Sequence, residues 1–214
     1  MDIEHISPKD IEKKSFEIIT EIIKKEYPDK IIPKEQQAIV KRVIHTTADF
    51  EYLYTLCFCN DAIQKGKLAL QKGACIVTDT QMVKSGINKK FVEYLGGEVY
   101  CFMSDEDVAE VAKKQNITRA VASMEKAAQL QKPTIFAIGN APTALIKIYE
   151  LVKQNKIKPE LIIAVPVGFV NVVQAKELIL SLSVPAIVAK GRKGGSNVAA
   201  AICNALLYEL ITRK

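Results

Sequence analysis

Thr134-Ile135-Phe136-Ala137-Ile138-Gly139-Asn140-Ala141-Pro142-Thr143 joins a short apolar run to a glycine, two small residues and a proline. The run is too short for a helix and shows no polar face, which fits a strand covered on both sides. Pro142 marks a helix start, because its fixed φ suits the first helical position and the N–H it lacks has no partner there. The same sequence of strand, turn and helix start recurs outward from this stretch. Ala74-Cys75-Ile76-Val77 and Glu98-Val99-Tyr100-Cys101-Phe102 precede it; Leu161-Ile162-Ile163-Ala164-Val165 and Pro185-Ala186-Ile187-Val188-Ala189 follow. Helical segments at 88–95, 118–131, 143–154, 170–181 and 196–211 separate or follow these runs. The alternation predicts an α/β fold. It is a three-layer αβα arrangement with a mainly parallel sheet of about five strands, preceded by N-terminal helices.

The chain has 214 residues, which suits one domain, 1–214, with 1–72 as a helical part packed on the sheet. Residues 8–27 read as an amphipathic helix with Ile11, Ile18, Ile19, Ile22 and Ile23 on one stripe. Ser15 interrupts that stripe. Its hydroxyl is either bonded back to a helix carbonyl or aimed at a group docking there. A second helix begins near Lys34 and carries Ile39, Val40, Val43 and Ile44 on one side. At the helical period His45 falls on the opposite side, with Arg42 and Asp49. His45 is one of only two histidines, the other being His5. It is therefore either a solvated surface imidazole or the natural proton carrier near neutral pH. Residues 50–59 are apolar and aromatic without a clear element, and Asn60-Asp61 looks like the cap of a helix that ends near Lys72-Gly73.

Composition narrows the class. The chain is 49% hydrophobic and 25% charged, with no apolar run of membrane-spanning length and no signal pattern at its start. The expectation is a cytoplasmic protein. Five cysteines without a Cys-x-x-Cys pair read as small apolar residues in a reduced compartment, and no metal-ligand spacing is present. The net charge of +6 favours anionic partners. Lysines mixed with glutamates, and no basic stripe interleaved with aromatics, give nucleic-acid binding only weak support, and a polycarboxylate or phosphorylated small molecule fits the charge equally well.

Ligands of such sheets bind beyond the carboxyl ends of the strands. The candidates there are Asp79 and Thr80, Asn140 and Thr143, Gly168, and Arg192, Lys193, Gly194, Gly195 and Ser196. The Gly191-Arg192-Lys193-Gly194-Gly195-Ser196 loop has neither Walker A nor Gly-x-Gly-x-x-Gly spacing. It reads equally as an anion site at a helix N-terminus or as a glycine-rich turn. Arg119 follows a capping Thr118; a cation in a first helical turn is disfavoured by the helix dipole, which hints at an anionic partner, while by pattern alone it is a surface arginine. No Gly-x-Ser-x-Gly elbow or Cys–His pair is present. The residues alone thus give an α/β protein with a strand-end site and a candidate acid/base His45, without a named reaction.

Seven stretches in order resemble the precorrin-8X methylmutase (cobalt-precorrin-8 methylmutase) family of cobalamin biosynthesis. They are residues 15–19, Arg42-Val43-Ile44-His45-Thr46-Thr47-Ala48-Asp49, residues 76–87 with Thr78-Asp79-Thr80-Gln81-Met82-Val83-Lys84-Ser85-Gly86, Thr118-Arg119-Ala120, Gly139-Asn140-Ala141-Pro142-Thr143-Ala144-Leu145, Pro166-Val167-Gly168-Phe169-Val170, and Gly191–Ser196 with Ala199-Ala200-Ala201. Thr46-Thr47 stands where the family often has Thr-Ser. The resemblance implies an isomerase that moves a methyl group from C11 to C12 of precorrin-8 or cobalt-precorrin-8 to give a corrin product, hydrogenobyrinate or cobyrinate, with no cofactor. It implies His45 as catalytic residue, Ser15 and Arg119 as further active-site residues, Arg42 and the strand-end loops as substrate-binding, and a homodimer. The competing readings are a non-catalytic tetrapyrrole-binding carrier and an S-adenosylmethionine-dependent methyltransferase of doubly wound type.

Overall fold

The protein is described by a computed structural model over residues 5–8 and 10–211. Residue 9 of the expected 8–27 helix, residues 1–4 and the last three residues lie outside the described part. Six strands form one sheet: β1 Leu56–Cys59, β2 Cys75–Thr78, β3 Val99–Tyr100, β4 Thr134–Ile138, β5 Leu161–Ala164 and β6 Ala186–Ala189, in the order β1-β6-β5-β4-β2-β3. All neighbours pair in parallel except β1, which runs antiparallel to β6 from Leu56↔Ala189 to Cys59↔Ala186. Without β1 the order is that of flavodoxin-like sheets, whose direction of winding reverses between the first and third strands, here β2 and β4.

The helices are α1 Ile11–Glu26, α2 Gln37–Thr47, the single turn α3 Tyr52–Thr55, α4 Ala62–Gln71, α5 Gln81–Gly86, α6 Lys89–Tyr94, α7 Glu106–Gln115, α8 Arg119–Ala127, α9 Pro142–Lys153, α10 Val172–Leu180 and α11 Ser196–Leu210. Successive side chains of a strand point to opposite faces, and both faces are covered. Ile135 and Ala137 of β4, and Leu161 and Ile163 of β5, pack with Ile39, Val43, Ile44, Ile63, Val83, Val92 and Ile202 of α2, α4, α5, α6 and α11. Phe136, Ile138, Ile162 and Ala164 pack with Met124, Leu145, Ile148 and Ile179 of α8, α9 and α10. That is why the runs are apolar throughout. Small residues on α11, Ala199, Ala200, Ala201 and Ala205, are buried and let neighbouring helices come close. A Cβ on Gly86 of α5 would stand 2.8 Å from that of Ala200.

The three-layer expectation holds, with differences. The sheet has six strands, because the aromatic stretch 50–59 supplies α3 and then the edge strand β1. The segment 1–72 is therefore not wholly helical. β3 is two residues long rather than five, since it pairs only with β2 on an edge. Two helices, α5 and α7, lie in segments for which the sequence predicts no element. Thr80 caps α5 by accepting the Val83 N–H at 3.1 Å. α7 is charged at half of its positions and buries only Val108 and Ala112.

Candidate active site

The edge at the strand ends is assembled from three loops. After β2, Asp79 turns inward at the switch point and is fully buried. Its Oδ1 accepts the Gly139 N–H at 2.9 Å, and its Oδ2 accepts those of Asn140 and Ala141 at 2.8 and 2.6 Å. Burial pushes this carboxyl above the usual aspartate range, against the pull of the three amides. The loop after β6 crosses the end of β5. A Cβ on Gly194 would lie 2.1 Å from the Val165 carbonyl oxygen, so no other residue fits. The Gly195 N–H donates to that same oxygen at 2.8 Å, and Gly168 N–H donates to Arg192 O at 3.2 Å. The amide of Gly195 is thus spent inside the protein, as the turn reading anticipates. The crossing brings Ser196 Oγ to 2.9 Å from Thr80 Oγ1.

Lys176 of α10 closes this loop from beneath. Its Nζ is 2.8 Å from both Gly191 O and Lys193 O, and the side chain is almost wholly buried. No carboxylate among the described residues is bonded to it, and burial pushes its pKa down to about 8. Sequence reasoning missed Lys176. The available signal was its place on the apolar stripe of Val172, Ala175 and Ile179, where a solvated lysine does not belong.

On one shoulder of the edge stands His45, in the last turn of α2, with Ile39, Val40, Val43 and Ile44 buried behind it. The imidazole is exposed and stacks on Phe16 of α1, ring centroids 5.4 Å apart and planes at 27°. Ser15, beside Phe16 in the chain, is half-buried, and its hydroxyl makes no hydrogen bond among the described residues. Ile11 and Ile18, one turn to either side of it, are 51% and 44% exposed. Neither charge that flanks His45 on the helix wheel is left for it. Arg42 pairs with Glu12 and lies over the rings of Phe16 and Tyr208, 5.1 and 4.8 Å from their centroids. Asp49 takes the Lys193 ammonium at 2.6 Å. The helix stops through Ala48 in the left-handed conformation, and Thr47 Oγ1, bonded to Val43 O at 2.8 Å, accepts the Asp49 N–H at 3.2 Å.

On the other shoulder Thr118 caps α8 by accepting the Val121 N–H at 3.2 Å, and its hydroxyl meets that of Thr143, at the start of α9, at 3.1 Å. Arg119 projects from this capped end, exposed and without an ion pair or hydrogen bond among the described residues. The structure therefore joins Ser15 and His45 through the α1–α2 pair and sets Arg119 on the layer opposite. The remaining candidates divide by what their polar groups already do. Arg42, Asp79, Thr80, Thr143, Lys193, Gly168, Gly195 and Ser196 are engaged within the protein. The side chains of Asn140 and Arg192 are exposed and, among the described residues, unbonded. Apolar side chains rim the same edge: Met82 at the start of α5, and Val167, Phe169 and Val170 after β5, of which Phe169 is 86% exposed.

A flavodoxin-ordered sheet covered by helices on both faces defines an α/β protein, with exposed cations and apolar side chains gathered at its strand ends. The family model of precorrin-8X methylmutase matches residues 10–209. The cobalt-precorrin-8 methylmutase of Priestia megaterium is 48% identical over 94% of this chain and 88% of its own. That of Salmonella typhimurium is 46% identical over 95% and 96%. The crystal structure of precorrin-8X methylmutase from Thermus thermophilus superimposes with a TM-score of 0.81 at 36% identity, covering 92% of this chain and 96% of that one. The chain belongs to the precorrin-8X methylmutase family, isomerases that catalyse a methyl migration in cobalamin biosynthesis. No helix among the described residues is long and apolar enough to cross a membrane.

Proposed function

We propose that the chain moves the methyl group from C11 to C12 of cobalt-precorrin-8, with His45 donating a proton or hydrogen bond to the ring. The methyl carbon leaves one ring carbon for its neighbour in the same molecule, so no methyl donor or cofactor enters the balance. The observation that carries the reading is the stack of His45 on Phe16, which seats the imidazole on α1 next in sequence to Ser15. In a family-matched chain, both polar groups are left free on one shoulder while the charges around them are internally bonded. The stack on Phe16 fixes the imidazole plane, and Ile11 and Ile18 offer apolar flanks to a flat ring beside Ser15. Arg119, Arg192 and Asn140 face outward and suit peripheral carboxylates. The cobalt-containing ring is favoured because relatives at 46–48% identity are named cobalt-precorrin-8 methylmutases. A cytoplasmic homodimer completes the reading.

His45→Ala is expected to cut turnover by roughly 10²–10⁴-fold, the range of general acid–base catalysis, while titration with the corrin product shows nearly unchanged affinity. Undiminished turnover in that variant would reject the assignment. A tetrapyrrole carrier would bind product in both forms and turn over in neither. A methyltransferase would show saturable binding of S-adenosylmethionine.

A further inference from the structure

Two lysines meet at one residue of the β6–α11 loop. The buried Lys176 holds the backbone carbonyl of Lys193 at 2.8 Å and that of Gly191 at the same distance. The side chain of Lys193 leaves the other side of the loop and grips Asp49 Oδ2 at 2.6 Å and Glu51 Oε2 at 2.7 Å. Asp49 and Glu51 belong to the segment that leads out of α2, four and six residues beyond His45. Glu51 N–H in turn donates to Asp49 Oδ1 at 2.9 Å, so the carboxylate is fixed from two sides. The Lys190 N–H donates to Thr55 O at 2.8 Å, which seats the same segment against the end of β6.

We propose that Lys176 and Lys193 act in series as positioning residues for His45: the buried ammonium fixes the loop backbone, and the loop's own ammonium fixes the end of α2. The alternative use of Lys193, as a grip on substrate carboxylates, would leave Asp49 and Glu51 facing each other without a cation. Both stand on a helix end that must hold one imidazole in register. A misplacement of about 1 Å in a catalytic group is enough to cost up to roughly a hundredfold in rate. The relay therefore acts on turnover rather than on binding. It rests on the reading of His45 as the proton donor.

The test is steady-state kinetics on four variants beside His45→Ala. Lys193→Met is expected to lower kcat about tenfold with KM within about twofold, and Lys193→Arg to restore most of it, because a guanidinium still spans two carboxylates. Lys176→Met should give a similar loss. The double variant should lose little more than the worse single one, as residues in one chain of contacts do. Unchanged kcat in Lys193→Met overturns the relay. So does a rise in KM in place of a fall in kcat, which would make Lys193 a substrate contact. So do losses that multiply in the double variant. If Lys176→Met does not fold, the double variant Lys193→Met with Asp49→Asn decides: non-additive losses support the relay and multiplied losses overturn it. Full turnover in His45→Ala sinks the His45 reading itself, whatever the lysine variants do.

Discussion

The loop after β4 and the loop after β6 are held by opposite charges used in the same way. Gly139, Asn140 and Ala141 present three N–H groups at the approach to α9, and the buried anion of Asp79 accepts all of them. Gly191 and Lys193 present carbonyl oxygens, and the buried cation of Lys176 donates to both. Among the described residues neither charge is bonded to a countercharge, and backbone dipoles offset their desolvation. The comparison teaches that the sign of a buried charge follows from which backbone groups a turn leaves exposed. It also separates scaffold from site. Charges bonded to the backbone or paired at the shoulders shape the edge, and the proposed ligand contacts are the groups left unbonded among the described residues.

The mirror is broken most sharply at Asp79. In Asp79→Asn one oxygen becomes an NH₂ group facing two N–H donors if the other keeps Gly139, and a loss of roughly 3 kcal/mol is expected in denaturant unfolding. A loss below about 1 kcal/mol would mean that the three amides find other partners. For Lys176 the sign is opposite and shows in alkali. Its folded pKa, about 8, lies below the unfolded value of 10.5. Between these the unfolded chain binds more protons, so stability rises with pH across that window and the gain is lost again as pH falls through about 8. Relative to Lys176→Met, which does not titrate there, the wild type should gain roughly 2–3 kcal/mol between pH 7 and 10.5. A constant difference would place a countercharge beside the ammonium.

The shoulders extend the contrast. Arg42→Ala removes a cation engaged with Glu12 and two rings. It should lower stability by about 1–2 kcal/mol, through both charge and packing. Arg119→Ala removes an unbonded cation and should leave stability within about 0.5 kcal/mol while raising KM several-fold. An exchange of these two outcomes would reverse the division between scaffold and site. Thr118→Ala loses the cap of α8 at about 1 kcal/mol, read as a drop in melting temperature.

Parallel strands were legible because a strand buried on both faces needs no polar residue, as Thr134–Ile138 and Leu161–Ala164 show. β1 was not, because four half-buried residues on an antiparallel edge carry no such pattern. The face of His45 could be read from the spacing of Ile39, Val40, Val43 and Ile44, a local property of one helix. What Arg42, Asp49 and Asp79 bond to could not. Glu12, Lys193 and Gly139 stand 30, 144 and 60 residues away, and only the folded chain brings them together. Lys176 sits between these cases, since its place on an apolar stripe was visible and its carbonyl partners were not.

Asp79 carries one more consequence. In sheets of this order, a nucleotide's phosphates characteristically lie at the switch point, on the amides that open the next helix. Here the chain supplies its own anion to that cradle: a carboxylate from β2 occupies the three N–H groups after β4. The loop that opens α9 is in effect permanently ligated by its own chain. A nucleotide would have to expel a buried side chain to bind there. The switch point is closed from within, and the exposed side chains of Asn140 and Arg119 stand outside it.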